Sequence, residues 1–329
     1  MKNKLLSLAS LFAVFNANAM EIGPSGSGVE MSGFIDLAFT DQAVGGQETV
    51  LGQVEVNFDY ATGPVSASFG IDLGGNSKYG AASADYDGNV EQAYITYDFG
   101  NGFSVTAGKM LTYMGFEAFD PTNMYQYSYA YDNGNTEVQS IYDAYDVGVS
   151  VDYATDDFSI GLWSSAENSA GYELALAYTG IENLTVKAIM SDFSDQLTVG
   201  GIGGPAYEKN TIWVSYQMGS LLLAAEVAEA DYIDGDNDHE GMLVMANYAF
   251  TDKAALTLRY STEKISPFDT DYANSSAAGM QDLNKFTVSP SYVFTDSLAG
   301  LIEYSSYKDD NSFNEDPEDL LAAELIFTF

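Results

Sequence analysis

Hydrophobic and polar residues alternate through the final segment of the chain. One set of alternating positions is apolar: Leu321, Ala323, Leu325, Phe327 and Phe329. The other set is Ala322, Glu324, Ile326 and Thr328. A period of two residues indicates a β-strand with one apolar face and one mostly polar face. Such an apolar face meets either lipid or a protein core, and the rest of the chain distinguishes these two cases.

The same alternation recurs along the chain and predicts an all-β fold of sixteen strands. The strands cover residues 30–40, 50–60, 65–73, 90–99, 103–112, 143–153, 158–166, 171–179, 184–193, 210–218, 221–230, 241–250, 254–264, 285–294, 298–308 and 320–329. Most have about 9–11 residues, the length that a tilted strand needs to cross the hydrocarbon core of a bilayer. A soluble sandwich should have a polar outer face, whereas an apolar face runs through every predicted strand. We therefore expect a closed, antiparallel transmembrane β-barrel.

Connections of two lengths alternate between these strands. Short turns occupy residues 61–64, 100–102, 154–157, 180–183, 219–220, 251–253 and 295–297. Longer loops fill the alternate connections, and the third loop, residues 113–142, is the longest. Short periplasmic turns and long outer loops are typical of outer-membrane barrels, and an even strand number places both termini on the periplasmic side.

The amino-terminal residues predict export. Lys2 and Lys4 precede an apolar stretch at residues 5–15, and the Ala-Asn-Ala sequence at 17–19 is a small-residue cleavage site. The apolar stretch is too short to span a bilayer as a helix, and an uncleaved anchor is the alternative. We divide the chain into a signal peptide at residues 1–19, a flexible periplasmic lead at 20–29 and a barrel at 30–329.

The amino-acid composition excludes several classes of function. The formal net charge is −37, and loss of the two signal-peptide lysines makes it −39. Such a surface repels nucleic acid and attracts cations. The chain has no cysteine and therefore no disulfide. The single histidine, His239, falls in the predicted outer loop 231–240 without a clear nucleophile beside it, so we predict no enzymatic activity.

Sixteen strands leave a water-filled lumen, and the polar phase of each strand gives the residues that face it. The acidic wall residues assigned in this way include Asp36, Glu55, Asp72, Asp152, Glu173, Glu226, Glu303 and Glu324. Lys187 and Arg259, the only arginine in the chain, are cations of the wall. They either tune selectivity or form ion pairs with neighbouring carboxylates. Buried carboxylates with so few partners would be too costly in a dry core, which favours an aqueous channel.

The third loop supplies the predicted constriction of this channel. A loop of this length is usually functional or disordered, and its many tyrosines favour a packed loop that folds into the lumen. Its candidate constriction residues are Glu117, Asp120, Tyr125 and Asp132. Because rings of acidic side chains select cations, we expect a cation-preferring pore.

One outer loop carries alternating carboxylates at Asp234, Asp236 and Asp238. The spacing is similar to the start of a calcium loop, but the glycine expected after the third acid is replaced by His239. The loop is therefore either a Ca²⁺ or Mg²⁺ site or a solvated acidic loop. The carboxylates within residues 309–319 form a second cluster with the same two alternatives, and we predict no other cofactor.

The chain resembles Gram-negative outer-membrane porins over nearly its whole mature length. The topology carries most of this likeness, and residues 108–117, 120–123 and 127–129 are similar to a segment of porins of the beta-barrel porin-2 type. The resemblance implies a passive outer-membrane pore for small hydrophilic solutes, often a homotrimer in the lipid bilayer, whose terminal aromatic residue, here Phe329, is read by the barrel-assembly machinery. General porins place arginines and lysines opposite the acidic third loop, whereas this chain has carboxylates there. A substrate-specific channel and a surface-binding barrel plugged by its loops are the alternatives.

Overall fold

The computed structural model describes residues 19–23, 25–42, 46–73, 89–117, 120–132, 141–142, 145–166, 171–194, 206–232, 238–266, 281–309 and 318–329. These residues form seventeen strands and one short 3₁₀ helix, Pro121–Asn123. Within these ranges no helix has the length and apolarity needed to cross a bilayer.

The strands follow one another with little other regular structure between them. They are β1 Met20–Glu21, β2 Val29–Gln42, β3 Gly46–Thr62, β4 Val65–Asp72, β5 Asn89–Asp98, β6 Phe103–Leu111, β7 Tyr145–Ala154, β8 Phe158–Ser165, β9 Tyr172–Tyr178, β10 Leu184–Asp192, β11 Tyr207–Met218, β12 Leu221–Tyr232, β13 His239–Ala249, β14 Ala254–Ile265, β15 Gln281–Thr295, β16 Leu298–Asp309 and β17 Glu318–Thr328.

The strands β2 to β17 close into a single antiparallel barrel. Each pairs with the next along the chain, and β17 pairs with β2 to complete the ring. The prediction of sixteen strands in a closed barrel is therefore confirmed, and their predicted ends differ from the observed ones by a few residues. The largest differences are at the amino ends of β3 and β15, which begin at Gly46 and Gln281.

Each strand presents one face to the lumen and one to the outside. On β17, Ala322 and Glu324 are at most 2 % exposed, whereas Leu321 and Leu325 are 46 % and 45 % exposed. The outward residues are apolar along the other strands as well, for example Val227 on β12 and Ile302 on β16. This is the arrangement of a barrel whose outer surface meets lipid.

The barrel closes at a seam between Gly33 of β2 and the carboxyl-terminal Phe329. Gly33 N donates to Phe329 O and Phe329 N donates to Gly33 O, both at 3.0 Å. A Cβ at Gly33 would overlap the Glu55 carbonyl oxygen and lie 2.7 Å from the Phe329 ring. The last residue of the chain therefore needs a glycine opposite it.

Two β-bulges change which side chains face inward. Pairing of β2 with β3 shifts between Asp36 and Leu37, which leaves Gly52 unpaired, and Leu51 is 40 % exposed on the outer face. Regular alternation from the inward Gln53 and Glu55 would place Leu51 on the inner face, and the bulge turns it outward. Pairing of β4 with β5 shifts in the same way between Gly70 and Ile71, which leaves Glu91 unpaired.

The predicted flexible lead contains a short hairpin. Met20 and Glu21 of β1 pair with Met31 and Glu30 of β2. The Glu21 carboxylate accepts a 2.6 Å hydrogen bond from Gly26 N. Gly26 has φ +82°, a conformation that glycine adopts without strain. These contacts hold the described part of the lead against the barrel.

Candidate functional site

The third loop enters the lumen at Tyr113, just after β6, and three wall side chains hold this residue. Its N–H donates to Glu173 Oε2 at 2.9 Å, and its hydroxyl donates to Asp152 Oδ1 at 2.6 Å. Lys187 Nζ donates to its carbonyl oxygen at 2.8 Å. Burial and the neighbouring Asp152 carboxylate raise the pKa of Tyr113, so the hydroxyl stays protonated and keeps donating.

The next contact of the loop is with Glu226 on β12. Glu226 Oε1 accepts from Phe116 N at 3.0 Å and from Thr211 Oγ1 at 2.7 Å. The Tyr142 hydroxyl, at the other end of the loop, donates to Glu226 Oε2. One buried wall carboxylate thus fastens both ends of the third loop to the same place.

Arg259 on β14 forms the centre of the next contact. Its guanidinium donates to Glu117 Oε1 at 2.6 Å, to Ser128 O at 2.7 Å and to Tyr129 O at 3.1 Å. Glu117 also accepts from Gln126 Nε2 and from Ala130 N, each at 2.7 Å. Arginine binds a carboxylate and two carbonyls here through its several fixed donors, which a lysine could not match.

Strands β15 and β16 complete the attachment. Glu303 accepts from Ser128 N at 2.9 Å and from Ser128 Oγ at 2.5 Å. Lys285 Nζ pairs with the Asp132 carboxylate and donates to Tyr129 O at 3.0 Å. Burial raises the pKa of Asp132, and the Lys285 ammonium acts against that rise.

These contacts have one rule in common. Wall carboxylates accept hydrogen bonds from backbone N–H groups of the loop, and wall cations donate to its carbonyl oxygens. A buried irregular segment must satisfy its backbone groups in this way, and a buried charge must be paired and hydrogen-bonded to be tolerated. One buried charge on each of six strands therefore binds the third loop: Glu173, Lys187, Glu226, Arg259, Lys285 and Glu303.

The opposite side of the lumen is built differently. Oxygens of Asp120, of Glu55 on β3 and of Glu91 on β5 all lie within 4.8 Å of one another. Gln53 Nε2 lies 3.3 Å from an oxygen of both Glu55 and Glu91. Two unit charges at this separation repel by about 3.5 kcal/mol at an effective dielectric constant of about 20.

Burial and the neighbouring Glu55 carboxylate raise the pKa of Asp120 to about 7, while the Tyr145 hydroxyl, 3.4 Å away, opposes the rise. The three carboxylates are therefore poorly compensated compared with those near Arg259. Three carboxylate oxygens are also fewer than the six to eight ligands that Ca²⁺ usually takes.

The structure brings some of the predicted site residues together and separates others. Glu117 and Asp132 lie on the attached side of the loop, Asp120 lies on the side of β3 and β5, and the Tyr125 carbonyl accepts from Thr257 Oγ1 at 3.0 Å. Among the predicted wall residues, Glu55 joins Asp120, whereas Glu303, Lys187 and Arg259 bind the loop. The predicted wall residues left outside both groups are Asp36, Asp72 and Glu324.

Those three carboxylates occupy different environments. Asp36 is fully buried over the bulge glycine Gly52, where a Cβ would overlap its carboxylate. Asp72 is partly exposed at the end of β4, and its backbone lies opposite that of Glu55 in the register between β3 and β4. Glu324 is buried on the inner face of β17.

Two further predictions concern the outer loop near β13. Asp234 and Asp236 lie outside the described residues, and Asp238 is exposed and accepts a hydrogen bond from Tyr232 N at 3.2 Å. His239 was predicted to lie in this loop, but it is the first residue of β13. Its ring is buried and lies 2.9 Å from Glu263 Oε1.

Glu91 is the site residue that the sequence did not reveal. Regular alternation along β5 places Glu91 on the outer face, and only the bulge between β4 and β5 brings it to the lumen beside Glu55. A carboxylate predicted to face lipid would be an unusual residue in a transmembrane strand, and this conflict was the available signal.

A model of one protein family matches residues 31–329, and the family is described as putative beta-barrel porin-2, OmpL-like. The chain belongs to this family. The family and the closed barrel together make the chain an outer-membrane porin, and they point to a channel rather than to an enzyme. No curated protein sequence matches the chain significantly.

Solved structures of outer-membrane proteins have the same fold. In-vitro folded OmpT of Vibrio cholerae superimposes with a TM-score of 0.66 at 14 % identity and covers 95 % of this chain and 100 % of that one. An anion-selective porin from Comamonas acidovorans gives 0.64 at 13 % identity, with 92 % and 99 % covered. The outer-membrane channel DcaP of Acinetobacter baumannii gives 0.64 at 12 % identity, with 94 % and 100 % covered.

Proposed function

We propose that this porin is a passive, cation-preferring channel for small hydrophilic solutes and ions. The observation that carries this proposal is the position of Asp120 beside Glu55 and Glu91. In a ring of sixteen strands, β4 lies opposite β12, so the carboxylate group of Asp120, Glu55 and Glu91 faces the wall to which the third loop is attached. A solute that passes between the loop and this wall meets the partly exposed carboxylates of Asp120 and Glu91, and Glu55 is buried beside them.

Whether the pore prefers cations or anions depends on which charges of the lumen are neutralised by oppositely charged neighbours. Arg259, Lys187 and Lys285 are buried and bound to groups of the third loop, so they project little positive field. Among the described residues, the amides of Gln53 and Asn57 donate to the carboxylate group. Acidic rings of this kind favour cations. The Comamonas porin is named anion-selective, so the shared fold does not by itself set the sign.

Reversal potential in a planar bilayer tests this proposal. The purified, refolded protein is placed between solutions of KCl that differ in concentration, and we expect the sign of a cation-selective pore. Replacing Asp120, Glu55 and Glu91 with Asn or Gln should move the potential toward zero. Asp156→Asn, in an exposed short turn, removes the same charge far from the lumen and should leave it unchanged. An anion-selective potential from the unaltered protein overturns the proposal.

A plugged barrel is the second candidate, and one observation favours it. Third-loop residues Gln126 to Asp132 are each at most 5 % exposed, so the loop is packed over this whole stretch. A protein that inserts into bilayers but shows no steady open level would support a plug with a structural or surface-binding role. A substrate-specific channel would instead show block of the ion current by one solute class.

The assembly of the porin is proposed on other grounds. OmpT of Vibrio cholerae has a trimer form, and we propose a homotrimer here, which native mass spectrometry tests. We further propose cleavage of the signal peptide after Ala19 and recognition of Phe329 by the assembly machinery. Intact mass of the exported protein tests the cleavage site, and deletion of Phe329 should reduce the amount of barrel in outer membranes.

A further inference from the structure

Lys109 is a charged residue on the membrane-facing side of β6. It alternates with the inward residues of this strand and shares the outer face with Phe103 and Leu111, both of which are exposed. The six residues from Phe103 to Lys109 span about 20 Å along a strand, or about 15 Å of depth at the usual strand tilt. Lys109 therefore lies within the apolar band, where a lysine destabilises a barrel unless it gains a compensating contact.

The compensating contact is a hydrogen bond to the backbone of β5. Lys109 Nζ donates to Val90 O at 2.8 Å. Pairing of β5 with β6 runs from Asp98 opposite Ser104 to Ala93 opposite Lys109, so Val90 lies beyond the paired part of β5. The side chain of Lys109 therefore supplies the contact of β6 with Val90, and it does so by extending along the apolar surface, as long cationic side chains do.

The residue after Val90 is the extra residue of the bulge between β4 and β5. Gln92 and Val90 lie opposite consecutive residues of β4, which leaves Glu91 between them without a partner in the register. Val90 is exposed on the outer face. The Glu91 carboxylate lies in the lumen, with an oxygen within 4.8 Å of oxygens of Glu55 and Asp120.

The oxygen that Lys109 binds belongs to the peptide group that joins Val90 to Glu91. This group is planar, so a hydrogen bond to its oxygen fixes the orientation of the whole unit. A backbone carbonyl that faces hydrocarbon without a donor is costly, and the ammonium group removes that cost. The outward direction of Val90 O and the inward direction of the Glu91 side chain are therefore set together.

We propose that Lys109 is a positioning residue for ion selectivity, because it holds from the membrane side the bulge that places the Glu91 carboxylate in the lumen. This inference rests on the proposed cation-preferring pore. The side chain of Lys109 lies on the outer face and acts through the peptide group between Val90 and Glu91.

Loss of Lys109 should have an effect opposite to that of its charge. Removing a positive charge makes the field of the protein more negative, which by itself raises the preference for cations or leaves it unchanged. Without the ammonium group, however, the Val90 carbonyl turns toward the water of the lumen. Glu91 then leaves its place beside Glu55 and Asp120, and the cation preference falls.

Reversal potential in planar bilayers under a KCl gradient tests the proposal with Lys109→Met, which removes the donor. We expect a potential closer to zero than that of the unaltered protein, by no more than the change in Glu91→Gln. The double variant should match Glu91→Gln alone. Lys109→Arg keeps a donor and should keep the potential of the unaltered protein. Lys264→Met, on the exposed face of β14, removes an equal charge and should also keep it.

The position of Glu91 can be measured separately. The chain has no cysteine, so Glu91→Cys introduces a single thiol, and a charged, water-soluble thiol reagent reduces the current when this thiol faces the lumen. We expect a slower reaction when Lys109→Met is added. Lys109→Gln, whose side chain is one atom shorter than lysine, replaces Lys109→Met in both experiments if that variant fails to fold.

The outcomes separate this inference from the proposed function. An unchanged or larger cation preference in Lys109→Met overturns the positioning role, as does a further shift in the double variant. If the unaltered protein shows no cation preference, the proposed function fails, and the thiol reaction alone decides the role of Lys109. Equal reaction rates with and without Lys109→Met overturn it. Heat-modifiable migration in gel electrophoresis establishes in each case that the barrel has folded.

Discussion

The guanidinium of Arg259 and the carboxylate of Glu117 form an ion pair at 2.6 Å with both side chains almost completely buried. Arg259 is the only arginine of the chain, and its guanidinium also donates to two loop carbonyls and to the hydroxyls of Ser128 and Thr287. Of the two interpretations that the sequence left open for Arg259, the ion pair is the one observed. The pair joins the third loop to β14, and its two residues are 142 positions apart in the sequence.

Glu303→Gln should destabilise the protein by about 2 kcal/mol, because hydrogen bonds to a charged acceptor contribute about 1.5–3 kcal/mol. Glu303 accepts from both the backbone N–H and the hydroxyl of Ser128, and glutamine retains only one acceptor oxygen. Urea unfolding in lipid vesicles, followed by tryptophan fluorescence, measures the change. Glu240→Gln, on the exposed face of β13, is the matched control, and equal effects in the two variants would contradict the assigned role.

Gly33→Val should weaken the seam at which the barrel closes. A side chain at Gly33 overlaps the Glu55 carbonyl and the Phe329 ring, and overpacking of this kind costs about 1–3 kcal/mol. We expect a lower urea midpoint and slower folding into the heat-modifiable form. Ala67→Val, on the outward face of β4, adds apolar atoms where they meet lipid, and its midpoint should not fall.

The alternation of residues predicted the strands well because a barrel that crosses a membrane imposes the same period on every strand. The outward Leu325 and the inward Glu324 were assigned correctly on that basis alone. The bulge at Gly52 was not predictable, because it depends on the register between two strands and leaves no fixed mark in either. The bulge at Glu91 left one signal, a carboxylate that regular alternation places on the lipid face. The partners of Arg259 were hidden for a related reason, since pairing across the lumen depends on the path of the third loop.

Conductance of the unaltered protein should rise as pH increases through about 7. The raised pKa of Asp120 means that the contact with the wall binds a proton more tightly than a free carboxylate does. The contact is therefore most favoured below about pH 4, where a free aspartate is also protonated, and it weakens as pH rises until Asp120 ionises near pH 7. The groups that face Asp120 are Glu55, Glu91, Tyr145 and, within the loop, Tyr129.

Single-channel conductance between pH 5 and pH 9 measures this dependence. Asp120→Asn should flatten the profile, because the amide does not titrate in this range. Asp157→Asn, in an exposed short turn, should keep the profile of the unaltered protein. A conductance that falls with rising pH would contradict the sign of the predicted effect.

Glu91→Gln should reduce cation preference even though simple alternation places this residue on the lipid side of β5. The bulge turns its carboxylate toward Glu55 and Asp120, so its charge acts on the permeating ion. The reversal potential should move toward zero by on the order of 10 mV, out of a limit of about 59 mV for a tenfold gradient of a monovalent ion. Glu182→Gln, in an exposed short turn, removes an equal charge and should leave the potential in place. An unchanged potential in Glu91→Gln would mean that the residue faces away from the permeation path, and the bulge would then have no part in selectivity.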